Sequence, residues 1–142
     1  MDQYRNIQNR IQTGTGLIEE MKSQPPILFS QLKRSTLPES QGIYWVLDRK
    51  KETVLLAEKA TNLRKRIYDN QYQSLMPTSK IKKKLFLDNA LPDVRTNKDA
   101  KEWMETHLQI QYIQYGENID ARELEWNVQL IAGLMQPKYN GS

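Results

Sequence analysis

Apolar side chains form two short runs in the chain and alternate with polar ones in a third segment, and each of these patterns predicts a β-strand. Residues 43–47 and 53–57 are rich in β-branched, aromatic and other apolar side chains, and the polar run 48–52 separates them, which predicts a β-hairpin. In residues 108–113 apolar and polar side chains alternate, which is typical of a strand with one face in water. These segments together predict a small three-stranded sheet.

Other apolar residues recur at the spacing of a helix. Leu63 and Ile67 follow Thr61 or Asn62, either of which can cap a helix, and Ile81 and Leu85 predict a second helix near residues 79–89. A third helix is predicted by its capping box, residues 96–99, and by the apolar positions that follow it. The last predicted helix has its apolar side chains at Leu124, Val128, Ile131 and Met135, ahead of Pro137. This order of strands and helices predicts an α/β or α+β domain with helices flanking the sheet.

The first 36 residues predict a helical extension to a domain at residues 37–142. Ile7 and Ile11 indicate a short amphipathic helix, which we expect to be interrupted at residues 13–16, Thr-Gly-Thr-Gly. A second short helix is predicted from Leu17 to the prolines at residues 25–26. The extension is a candidate surface for a protein partner.

Length and composition limit the classes of protein to which this chain can belong. A chain of 142 residues is long enough for one domain with a continuous core, and its mean hydropathy of −0.76 predicts a strongly polar surface. No run of eighteen apolar residues is present, and the first ten residues lack the apolar stretch of a secretory signal. The chain has no cysteine, which excludes disulfides and a cysteine nucleophile. We therefore expect a cytoplasmic protein without a membrane partner.

Charge is distributed unevenly along the chain. Residues 41–90 contain eleven Lys and Arg against five Asp and Glu, whereas residues 91–142 contain five against eight. A basic middle segment is typical of a surface that faces a polyanion such as nucleic acid. A solvated lysine-rich face explains the same charges equally well.

Three motifs follow one another along the chain: Gly-Ile-Tyr at residues 42–44, Lys-Ala-Thr-Asn-Leu-Arg-Lys-Arg at residues 59–66, and Pro-Lys-Tyr-Asn at residues 137–140. In this order they resemble the GIY-YIG nuclease superfamily, and most closely the nuclease module of UvrC-type excision enzymes. The first triplet alone is a weak signal, and the order and distances of the three motifs carry the resemblance. It covers roughly residues 37–140 and implies the family's three-stranded sheet and its hydrolysis of DNA phosphodiester bonds.

The resemblance also implies roles for individual residues. Tyr44 would lie at the sheet edge and orient or deprotonate the attacking water, Arg66 would contact the scissile phosphate, and Lys59 would assist. Glu125, with Glu123 in reserve, would bind one Mg²⁺ or Mn²⁺ ion, and Asn140 would tie the C-terminal segment to the site. The predicted nucleic-acid contacts are Arg64, Lys65, Lys80, Lys82, Lys83 and Lys84.

The second signature triplet departs from the family. Leu56-Ala57-Glu58 stands where the family has Tyr-Ile-Gly, so a hydroxyl is missing and a carboxylate is added beside a phosphate site. This carboxylate would repel DNA unless it binds metal or pairs with Lys59 or Arg66. The family's His or Tyr four residues after the arginine is Asn70 here.

Functions of different classes therefore remain open. The first is a metal-dependent endonuclease with a variant active site. The second is a pseudo-nuclease that binds nucleic acid or a protein partner without cutting, with the lysines of residues 80–84 on phosphates and binding that weakens steeply with salt. A third is a scaffold that uses the N-terminal extension as an interaction arm.

Overall fold

The N-terminal segment forms one long helix in the computed structural model, which describes residues 2–140 and side chains from residue 6 on. This helix, α1, extends from Asp2 to Ser23 without a break. The predicted interruption at residues 13–16 is therefore wrong. Its reason lies in tertiary packing, because α1 lies against the last helix and a Cβ on Gly14 would be 2.6 Å from Leu134 Cδ1. Glycine lets the two helices approach, and that packing outweighs its low helix propensity.

The sheet has four antiparallel strands in the order β1-β4-β2-β3, one more than predicted. The predicted hairpin is β2 (Gly42–Asp48) and β3 (Val54–Ala60), and the third predicted strand is β4 (Leu108–Gln114). The additional strand, β1, has only two residues (Ile27–Leu28) and pairs with β4. A strand this short has no detectable period in the sequence. The α/β class of the domain is confirmed.

Three further helices flank the sheet, together with two 3₁₀ turns at Phe29–Gln31 and Arg34–Thr36. They are α2 (Lys80–Leu87), α3 (Asn97–His107) and α4 (Ala121–Met135). The capping box predicted for α3 is present, because the Thr96 and Asp99 side chains each accept a hydrogen bond from the other's backbone N–H. The helix predicted after residue 62 takes a wider winding over Lys65–Gln73, where it is a π-helix.

The central strand β2 separates two clusters of buried side chains, because successive residues of a strand face opposite sides of the sheet. Tyr44 and Val46 belong to one cluster, and Ile43, Trp45 and Leu47 to the other. Residues of the N-terminal extension complete both: Phe29 is fully buried in the first and Met21 in the second. The extension is thus built into the same core as residues 37–140.

None of the helices in the described part of the chain combines the length and the apolar character that a membrane span needs.

Candidate functional site

Glu58 on β3 is the centre of a polar cluster on the first face of the sheet. The antiparallel register places it directly opposite Tyr44 of β2, and the Tyr44 hydroxyl donates a hydrogen bond of 2.5 Å to Glu58 Oε1. Directly opposite residues in such a pair have their Cβ atoms about 5 Å apart, so a phenol and a carboxylate meet there without distortion. The Glu58 side chain is only 18% exposed.

Two cations share the Glu58 carboxylate. Arg66, at the start of the π-helix, donates from one terminal nitrogen to both Glu58 oxygens, at 3.0 and 3.2 Å. Lys80, the first residue of α2, places its ammonium 3.6 Å from Glu58 Oε2. Charge-assisted hydrogen bonds of this kind are roughly twice as strong as neutral ones. The sequence predicted Arg66 as a phosphate ligand, and in the structure the carboxylate of Glu58 holds it.

Gln71 is a member of this cluster that the sequence did not predict. Its Nε2 donates to the Tyr44 hydroxyl at 2.9 Å and to Glu58 Oε1 at 3.0 Å, and its side-chain oxygen accepts from Ile81 N at 3.0 Å. In a π-helix, residues five apart share a face, so Gln71 rather than Asn70 comes beside Arg66. The family's pattern counts four residues on from the arginine, which is the spacing of an α-helix, and this count selects Asn70. No local feature of the sequence predicts the π-helix.

Tyr44 lies on the central strand and is fully buried, whereas the resemblance implied a position at the sheet edge. Burial, and then the adjacent Glu58 carboxylate, raise the pKa of the Tyr44 phenol well above its usual range. The hydroxyl is therefore protonated at neutral pH and already donates to Glu58. In this arrangement it is not a base for water.

A cavity of about 340 Å³ opens beside Glu58 and brings several predicted residues together. Its lining includes Lys59, Arg66, Glu125 and Asn140, whereas Tyr44 reaches it only through Glu58. Lys59 Nζ lies 2.6 Å from Glu125 Oε2, and this hydrogen bond, followed by a second from Gln129, lowers the pKa of Glu125. Glu125 is thus an ionised carboxylate that is already paired.

Asn140 fixes the C-terminal segment to β3, as the resemblance implied for the end of the chain. Its side-chain oxygen accepts from Ala57 N and its side-chain nitrogen donates to Ala57 O, both at 2.8 Å. The amide therefore occupies the position of a neighbouring strand on the outer edge of β3. This contact supports the wall of the cavity next to Glu58.

The carboxylates of the cavity do not fit Mg²⁺ or Mn²⁺ as they are arranged. Glu58 is held by Arg66 and Lys80, and Glu125 by Lys59, so each has a cation where a metal would bind. Over residues 6–140, no three Asp, Glu or His side chains are grouped closely enough to hold an ion. Glu123, the reserve ligand, lies in the first turn of α4 and does not line this cavity.

The predicted nucleic-acid contacts divide into surface and buried residues. Lys65, in the π-helix, and Lys83, in α2, are exposed, and Lys84, which follows Lys83, is partly buried. Arg64 is partly buried and pairs with Glu39 at 3.2 Å. Lys82 is only 1% exposed and donates to Ser74 O at 2.8 Å, so its prediction as a phosphate contact is wrong. Ile81 and Leu85 turn that face of α2 into the core, and Lys82 is next to it.

A second cavity of about 340 Å³ adjoins the first and shares Lys59 and Arg66 with it. Lys65 contributes a third cation, and the remaining lining residues are Ala60, Thr61, Asn62 and Asn70. No carboxylate lines this cavity. Cations with neutral hydrogen-bonding side chains, and without acidic ones, form a surface suited to an anion.

The sequence matches no model of a known protein family, and no curated protein is significantly similar to it. The resemblance to the GIY-YIG nucleases accordingly stays a prediction.

Proposed function

We propose that this chain is a nucleic-acid-binding domain of GIY-YIG type that does not cut its ligand. The observation that carries the proposal is the pairing of Glu58. Its carboxylate accepts hydrogen bonds from the Tyr44 hydroxyl and the Arg66 guanidinium. The resemblance gives these two groups their roles in cleavage, at the attacking water and at the scissile phosphate. An anion already occupies the place where a scissile phosphate would have to bind.

The second cavity supports binding of the nucleic-acid backbone through Lys65, which is exposed, and through Lys59 and Arg66, which would contact phosphate while they remain paired with Glu125 and Glu58. Lys83, on α2, is a further exposed lysine outside the cavity lining. Phosphate contacts of this kind release counterions, so the affinity should fall steeply as salt concentration rises. DNA is the ligand that the resemblance favours.

The test is fluorescence anisotropy of labelled single- and double-stranded DNA over a range of salt concentrations. The double variant Lys59→Ala/Lys65→Ala should bind about tenfold more weakly than wild type, with a salt slope smaller by about two. The matched control is Lys51→Ala/Lys98→Ala, which removes two exposed lysines that line neither cavity. Equal binding by the two double variants would refute the proposal.

A second candidate function is a metal-dependent endonuclease, favoured by the presence of Glu58 and Glu125 in the same cavity. Both carboxylates would have to release their cations and supply hard oxygen ligands to Mg²⁺. Plasmid and single-strand cleavage with Mg²⁺ or Mn²⁺ tests this candidate, with Tyr44→Phe, Arg66→Ala and Glu125→Ala as variants. Metal-dependent cutting that Arg66→Ala and Glu125→Ala abolish would establish it, and equal background in all four proteins would remove it.

A further inference from the structure

The C-terminal segment after α4 is held by one nearly buried acid, Asp88, at the end of α2. The Asp88 side chain is 9% exposed, and its Oδ2 accepts from Lys138 Nζ and from the Tyr139 hydroxyl, both at 2.7 Å. Its other oxygen accepts from Ala90 N at 2.9 Å. Both oxygens of Asp88 are therefore used, one for its own loop and one for the C-terminal segment.

The same segment reaches the candidate site through two consecutive residues. Tyr139 N donates to Leu55 O on the outer edge of β3, and Asn140 pairs with both backbone groups of Ala57. Ala57 directly precedes Glu58 and Lys59, which line the cavity beside the polar cluster. A continuous series of hydrogen bonds thus connects Asp88 to the cavity wall.

Helix α2 connects the Glu58 cluster at its first residue to Asp88 directly after its last residue. Its first residue, Lys80, lies 3.6 Å from Glu58, and Asp88 directly follows its last residue, Leu87. A rigid helix of eight residues therefore fixes the distance between the Glu58 cluster and the anchor of the C-terminal segment.

We propose that Asp88 is a positioning residue for the candidate site, which acts through Tyr139 and Asn140 to hold Ala57 and with it the Glu58–Lys59 wall. This role rests on the proposed function, because it concerns the surface that would bind nucleic acid. Asp88 itself does not touch the ligand. A large cavity of about 650 Å³ borders the anchor and leaves the Lys138 side chain half exposed.

The test is hydrogen exchange of the Ala57 amide in Asp88→Asn. An amide side chain has only one acceptor oxygen, so it cannot serve both Ala90 N and the pair of donors on Lys138 and Tyr139, and it also lacks the charge that pairs with Lys138. The Ala57 amide should then exchange about tenfold faster or more, whereas the amides of β2 keep their wild-type rates. Asp93→Asn is the matched control, because Asp93 is exposed in the same loop and the charge change is identical. An unchanged Ala57 rate in Asp88→Asn overturns the proposal.

Two further variants keep the test decisive if Asp88→Asn fails to fold. Tyr139→Phe and Lys138→Ala each remove one of the two bonds to Asp88, and each should accelerate Ala57 exchange relative to wild type. Wild-type exchange in both would contradict the proposal.

Binding of labelled DNA provides the functional arm. Asp88→Asn should bind at least about threefold more weakly than Asp93→Asn, although both variants gain one positive charge over wild type. Equal binding by the two variants contradicts the positioning role. Failure of the proposed function can be told apart from failure of the positioning role. In that case wild type itself would not bind DNA, whereas Asp88→Asn would still accelerate the exchange of the Ala57 amide.

Discussion

At the scale of single residues, Glu58 determines what the site can do. Four side chains from three separate segments converge on its carboxylate: Tyr44, Arg66, Gln71 and Lys80. A carboxylate with this many donors stabilises the arrangement that surrounds it, and it also neutralises the cations that a phosphate would need. The sequence identified Glu58 as the departure from the family and left three alternatives open for its carboxylate: a metal ion, Lys59 or Arg66. It did not foresee Lys80.

Lys82 is a second residue whose surroundings could not be read from the sequence, because it belongs to a lysine-rich run and is nevertheless buried. Burial, and then the nearby Lys101, lower the pKa of its ammonium from 10.5 to about 8 against the opposing effect of Glu105. Because the folded-state pKa is the lower one, the unfolded chain binds more protons between pH 8 and 10.5. The free energy of unfolding should therefore rise with pH in that window, and below about pH 8 the full cost of the buried charge is present.

We predict that Lys82→Met is more stable than wild type at pH 7 and that this advantage shrinks by about 2 kcal/mol on going to pH 9.5. Urea unfolding at the two pH values measures it. Both proteins share the buried tyrosines Tyr44, Tyr72 and Tyr139, whose raised pKa values reduce stability only above about pH 10. A difference between the two proteins that does not change with pH would show that Lys82 is not the titrating group.

At the scale of elements, the three long strands and the three α-helices that follow the hairpin were predictable because each satisfies a local rule. The β2–β3 hairpin, the capping box of α3 and the apolar spacing of α4 all survive in the structure. The elements that could not be predicted depend on distant contacts. α1 is continuous because α4 packs on it, β1 exists because β4 offers an edge, and the π-helix brings Gln71 to Glu58.

Gly42, at the start of β2, has a similar dependence on a distant element. A Cβ at this position would lie 2.5 Å from Leu63 Cδ1 and would also collide with the backbone oxygen of Ile113. The helix after β3 thus packs directly onto the strand that carries Tyr44, and only glycine leaves room for it.

Gly42→Ala should accordingly lower the free energy of unfolding by about 1–3 kcal/mol, the usual cost of overpacking. Gly116→Ala is the control, since a Cβ there meets no atom within 4 Å. Chemical denaturation of the three proteins gives the comparison. Equal stability of the Gly42 and Gly116 variants would mean that Leu63 and the sheet can separate without cost.

At the scale of the whole molecule, the N-terminal extension and residues 37–140 share one pair of cores. Phe29 and Met21 are fully buried among side chains from the sheet and from α4. The sequence predicted a boundary at residue 36 because helical patterns end before the turn at residues 37–40 and strand patterns follow it, but burial depends on which side chains the extension contributes. Loss of two large buried side chains costs several kcal/mol, a large part of the total stability of a domain.

A chain truncated to residues 37–142 should therefore melt at a markedly lower temperature than the full chain or lose its cooperative transition. Circular dichroism during heating measures this. A truncated chain that melts cooperatively at the full chain's temperature would show that residues 37–142 fold independently, as the pattern of predicted elements indicated.

The proposed function depends on the Glu58 carboxylate pairing with the cations of the candidate site in place of a phosphate. The most direct measurement is the affinity for labelled DNA of Glu58→Gln, which removes the charge and keeps the shape, beside Glu102→Gln, which makes the same change at an exposed position on α3. We predict that Glu58→Gln binds about fivefold tighter than Glu102→Gln, because Arg66 and Lys80 become available to phosphate. Equal or weaker binding by Glu58→Gln would contradict the central claim.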